Sequence, residues 1–227
     1  MKSALPAAVW PATAVALGGL VLASLFVGGY DLTPWGVLSD PAQAEVWWIS
    51  RVPRTLALIF AAMAMTISGV IMQMITQNKF VEPTTAGTSE WAGLGVLAML
   101  LVAPDAPPLA KMAVASLFAF AGTMVFLAVL RRVGVTGSVI VPLVGIMLGA
   151  VVGALATFLA GRFNLLQAMS AWRSGGFSSI VRGFYEPLWA VLGVAVITWI
   201  AAARFSVAGM GREVATNVGL DYNRTVL

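Results

Sequence analysis

Four stretches combine residue types and spacings that could do chemistry or make a contact. Arg51-Val-Pro-Arg54 sets two guanidinium groups just ahead of an apolar run. Such forks pair bidentately with carboxylates; their plainer role is to anchor a span end at the lipid headgroups. After that run comes a connector, Asn78-Lys-Phe-Val-Glu-Pro83-Thr-Thr-Ala-Gly87. Pro83 breaks a helix and Gly87 permits a tight turn, so this is a structural elbow rather than a substrate contact. Gly145, Gly149 and Gly153 recur at intervals of four, which stacks them on one helix face where another backbone can come close. That face packs either inside one subunit or along a subunit interface or pathway. Gly211-Arg212-Glu213-Val-Ala215-Thr-Asn-Val218-Gly219 has the form of a short helix stopped by Gly219. A helix this short is unstable alone and must pack on something.

The elements that position these stretches are membrane spans. Of 227 residues, 60% are hydrophobic and only 10% charged, with a mean hydropathy of +0.94. A soluble chain needs far more charge to cover its surface. Histidine and cysteine are both absent. That removes disulfides, His or Cys ligation of metals, thiol nucleophiles and every His-dependent catalytic dyad, so neither an enzyme nor a metal or cofactor site is expected. The formal charge of +4 is small and scattered through loops, which makes nucleic acid a poor partner. Lys2 starts an uncharged stretch longer than a signal-peptide core, and further spans follow, so a retained first helix is expected.

About 20 apolar residues in helical form cross a bilayer core. Charge-free windows give about six spans in an all-α bundle: Pro6 to Gly29, Thr55 to Ile75, a short third one starting near Gly87, Met112 to Leu130, one within Val133 to Gly161, and Pro187 to Ala203. The third carries Glu90, expected near one surface. No charged residue is expected deep in a span, which argues against a proton relay and for energy drawn from a partner. Lys and Arg divide seven to six between the two sides, so charge alone leaves the orientation open.

Taken in order, the three loop motifs resemble the FecCD/BtuC-type permeases, the membrane subunits of ABC importers for iron-siderophores, haem and vitamin B12. That family has an R-x-P-R element at the second helix, N-P-L-A-x-P-x-x-x-G after it, and G-x-E-x-A-x-x-L-G after the sixth. Here Asn78-Lys-Phe-Val and Pro83-Thr-Thr-Ala-Gly87 look like the branch serving catecholate-type siderophores. The resemblance implies one transmembrane permease domain over residues 1–227, with a cytoplasmic coupling segment at 204–227. It implies a bacterial inner-membrane location with the N-terminus cytoplasmic. Arg51 and Arg54 would then meet acidic residues of a periplasmic or lipid-anchored substrate-binding protein. Arg212 and Glu213 would face a cytoplasmic ABC ATPase, while Ala215 and Val218 pack. A second permease subunit, identical or not, would complete the path within the lipid. Family members have roughly ten spans, so this chain looks cut short at Leu227. Alternatives are a haem or vitamin B12 permease, or a secondary carrier of such chelates.

Overall fold

The computed structural model describes residues 9–76, 78–79, 81–133, 140–177, 180–183, 188–210, 212–219 and 221. Eleven α-helices follow one another there, with no strand among the described residues: α1 (Val9–Ser24), α2 (Pro34–Ser39), α3 (Pro41–Val46), α4 (Val52–Thr76), α5 (Thr88–Val102), α6 (Pro108–Val133), α7 (Ile140–Arg162), α8 (Leu166–Arg173), α9 (Leu188–Ile200), α10 (Ala202–Ala208) and α11 (Arg212–Asn217). The six expected spans correspond in order to α1, α4, α5, α6, α7 and α9. Among the described residues three helical runs are long and apolar enough to cross a membrane: Pro41–Met74, Pro108–Leu130 and Ile140–Arg162. Their outer faces are apolar as well; Leu117 and Phe120 on α6 are both 63% exposed. Side chains of this kind, left uncovered in water, are what a lipid solvent requires.

The chain forms two compact units, residues 1–61 with 177–189, and residues 62–176 with 190–227. In the first, capped turns build the segment ahead of α4. The Thr33 side chain accepts from the Gly36 N–H at 2.9 Å, and Pro34 begins α2. The Asp40 carboxylate accepts from the Ala42 N–H at 3.0 Å, and Pro41 begins α3. Each cap satisfies an N–H that the first helical turn leaves open. A π-helical turn, Trp47–Arg51, then joins α3 to α4, so that Pro41–Met74 is one helical run of 34 residues. Pro53 explains that turn. It has no N–H for the Ile49 carbonyl, and its ring would press on that carbonyl in a regular α-helix. The Ile49 carbonyl accepts instead from the Arg182 N–H at 2.8 Å. In the same unit the rings of Phe60 and Trp189 stand 5.1 Å apart.

The second unit is built on small residues. α5 packs between α6 and α7. On α5, a Cβ on Gly95 would lie 3.0 Å from Ala115 Cα and from the Phe118 ring, and on α6 the Trp91 ring fills the space beside Gly122. Such close approach replaces the hydrophobic drive that is missing between helices in lipid. Leu97, Ala156, Ala160 and Met169 form the buried core, flanked by Leu94, Leu100, Leu159 and Leu165. Met169 brings α8 into that core. α8 therefore folds back alongside the second half of α7 instead of leaving the bundle.

Candidate functional site

In the first unit, Arg51 turns inward. It is 5% exposed, and its Nη2 donates to the Tyr30 carbonyl at 3.3 Å. Its guanidinium occupies the space beside Gly28, where a methyl group would overlap it. The buried Arg51 Nε and Trp47 Nε1 have no hydrogen-bond partner among the described residues. Arg54, one helical turn on, is half-buried. The two arginines expected to act as a pair thus have different surroundings: Arg51 clamps the turn after α1, and Arg54 is the better presented of the two.

In the second unit, the elbow and the glycine face turn out to be one structure. Glu82 and Thr85 cap a 3-10 turn, Pro83–Ala86, by a reciprocal capping box, and the Glu82 N–H donates to Thr85 Oγ1 at 3.1 Å. Gly87 follows at φ +77, the left-handed conformation that a glycine adopts without strain, and it is the N-cap of α5. The last turn of the elbow lies along α7. The Thr85 carbonyl sits over Gly145, leaving no space for a side chain there, and a Cβ on Gly87 would fall 3.0 Å from Gly149 Cα. The glycine stripe accordingly packs within this chain. Asn78, at the start of the elbow, donates its N–H to the Gln73 carbonyl at 3.1 Å.

Two charged residues stand beside the middle of α7. α5 starts at Thr88, as anticipated, and Glu90 lies in its first turn. Glu90 Oε2 lies 3.3 Å from the Cβ position of Gly149, and Glu90 Cγ lies 3.5 Å from that of Gly153. Arg173 Nη2, at the end of α8, lies 3.7 Å from the Cβ position of Gly153. α7 is 23 residues long, and Gly153 is near its middle. At a 1.5 Å rise, Gly153 stands about 20 Å from the start of α7 and about 13 Å from its end. Each keeps a helix-end place on its own element, Glu90 in the first turn of α5 and Arg173 in the last turn of α8, yet α5 starts and α8 ends partway along α7.

The coupling stretch lies at the other end of the chain. Gly211 falls outside the described residues, as do the side chains of Arg212 and Glu213. α11 covers Arg212–Asn217, and Gly219 at φ +85 stops it, donating its N–H to the Thr216 carbonyl at 3.0 Å. Ala215 is fully buried, whereas Val218 is 69% exposed. Just before it, Gly209 backs onto the Met74 side chain at the end of α4.

Among the described residues the chain is an all-helical bundle with long apolar runs, a short α8 folded back on α7 and a short helix after the last apolar helix. A solved structure described as an inward-facing conformation of an ABC transporter assigned to the metal-chelate type has this fold. It superposes with a TM-score of 0.75 at 21% identity, over 98% of this chain and 70% of that one. Residues 16–227 match the FecCD transport family, and the chain belongs to that family. It is similar to the petrobactin import system permease protein YclN of Bacillus subtilis, with 42% identity over 208 residues, 91% of this chain and 66% of that one. It is also similar to the petrobactin import system permease protein FatD of Bacillus anthracis, with 44% identity over 208 residues, 92% of this chain and 61% of that one. The chain thus spans about three fifths to two thirds of the length of these curated relatives.

Proposed function

We propose that this chain is permease sequence of an ATP-driven importer for ferric siderophore complexes in a bacterial inner membrane. A substrate-binding protein delivers the complex, a cytoplasmic ABC ATPase supplies the energy, and a second permease subunit completes the path. One observation carries the reading: the family match over residues 16–227, joined to 42% and 44% identity with two permeases named for petrobactin import. The same identity favours a siderophore over haem or vitamin B12. In this reading the N-terminus is cytoplasmic, Arg54 faces the binding protein and α11 faces the ATPase.

The test is uptake of radioactive iron as ferric petrobactin into proteoliposomes that hold the full permease, its ATPase and its binding protein. ATP-dependent accumulation is expected. Uptake that follows an ion gradient without the ATPase, or uptake of vitamin B12 in place of the siderophore, would overturn the reading.

A further inference from the structure

The two charges at mid-height of α7 share one open groove but do not close on each other. Glu90 and Arg173 line a groove of about 700 Å³ together with Gly149, Gly153, Thr157 and Phe158. Among the described residues, neither side chain has an ion-pair or hydrogen-bond partner. Arg173 and Thr157 also line a second recess of about 490 Å³, with Ser170 and Ser174 on its rim, so Arg173 stands where the two meet. Two of the hydroxyls around it are already committed: Thr157 Oγ1 donates to the Gly153 carbonyl at 2.8 Å, and Ser174 Oγ donates to the Ser170 carbonyl at 2.9 Å. The guanidinium is the charged group there whose donors remain to be used. It sits in the last turn of α8, where the helix dipole favours a cation.

From this arrangement we infer that Arg173 is a specificity-determining residue, which receives the anionic oxygens of the ferric chelate as it crosses the middle of the span. Glu90 is the resident counter-charge that the substrate replaces. The inference rests on the siderophore reading above. A ferric ion wrapped by deprotonated oxygen donors that outnumber its positive charges is an anion, and a planar fork with several donors matches such a rim of oxygens. A structural pair would be drawn together. Here Glu90 Cγ and Arg173 Nη2 each lie within 4 Å of the same Gly153 Cβ position, yet among the described residues the two side chains form no ion pair. With no substrate present, the Glu90 carboxylate lowers the cost of holding a cation there.

The experiment compares ferric petrobactin uptake by the reconstituted transporter carrying the native chain, Arg173→Gln, Arg173→Lys, and the double variant Glu90→Gln with Arg173→Gln. Because the double variant removes both charges, it assembles even if the single one, with its carboxylate left alone, does not. Arg173→Gln and the double variant are expected to raise KM about tenfold or more per assembled transporter, the scale of one lost charge-assisted contact. Arg173→Lys is expected to recover part of that. A double variant with KM within about twofold of the native chain overturns the inference, as does a loss explained wholly by reduced assembly in both neutral variants. Failure of the native chain to take up ferric petrobactin overturns the siderophore reading instead, and the two failures are told apart by that control.

Discussion

The guanidinium of Arg51 fills the space that a side chain on Gly28 would need, and its Nη2 reaches the Tyr30 carbonyl. The glycine and the arginine are 23 positions apart, and the space beside Gly28 is what admits the buried guanidinium. Gly28→Ala is therefore expected to push the guanidinium outward, since it is the movable end of a long side chain. The cost is the lost hydrogen bond and an unpaired carbonyl, about 1–2 kcal/mol, which lowers Tm in detergent by a few degrees. Labelling with an arginine-selective dicarbonyl, read by mass spectrometry, should find Arg51 slow in the native chain and fast in the variant.

Charge reversal should separate the two arginines. Arg54→Glu is expected to weaken stimulation of ATP hydrolysis by the binding protein several-fold, with little change in Tm, because its side chain is only half-buried. Arg51→Glu is expected to lower Tm as well, by placing a carboxylate beside the Tyr30 carbonyl in a site that is 5% exposed. Equal effects of the two substitutions on Tm would contradict this division.

The three glycines of α7 should tolerate alanine in a definite order. Gly145→Ala meets the Thr85 carbonyl and is expected to cost about 1–3 kcal/mol, since backbone must move. Gly149→Ala meets Gly87 Cα at 3.2 Å and is expected to be intermediate. Gly153→Ala has nothing nearer than 3.5 Å and should be close to neutral. Thermal unfolding of the three variants, ranked by Tm, checks the order.

Around α11, burial predicts two kinds of defect. Ala215→Leu overfills a position with no exposure and is expected to cost about 1–3 kcal/mol. Val218→Asp alters an exposed position, so Tm should hardly move, while co-purification of the ATPase with the permease falls. Full retention of the ATPase by Val218→Asp would remove Val218 from the coupling surface.

The spans were legible because bilayer thickness demands long uncharged windows, and those windows survive as α1, α4, α5, α6, α7 and α9. Glycine spacing likewise announced a close-packed face. It did not say what would cover that face, because the partner is a capped turn whose position depends on the path of the whole connector. Glu90 and Arg173 meet beside the middle of α7 for a related reason: place along the chain differs from place along a neighbour once a helix starts or ends partway along it. A signal was present in each case. α5 has only 15 residues after a helix-capping Gly87, too few for a full crossing, and Leu166–Arg173 is a short segment of mixed polarity between two apolar runs. The π-turn was also foreshadowed by Pro53, whose missing N–H strands the Ile49 carbonyl. The burial of Arg51 had no comparable warning, since it depends on a glycine in a different element.

Contact between backbones, rather than between side chains, has a mechanical consequence. Where Gly87 meets Gly149 and the Thr85 carbonyl meets Gly145, there is no rotamer that can give way. A displacement of α7 along its axis cannot be absorbed at that joint and is handed on to the elbow and the start of α5. These three pieces act as a strut, stiff under load, which carries a push from one end of the helix to the other without loss to side-chain slack.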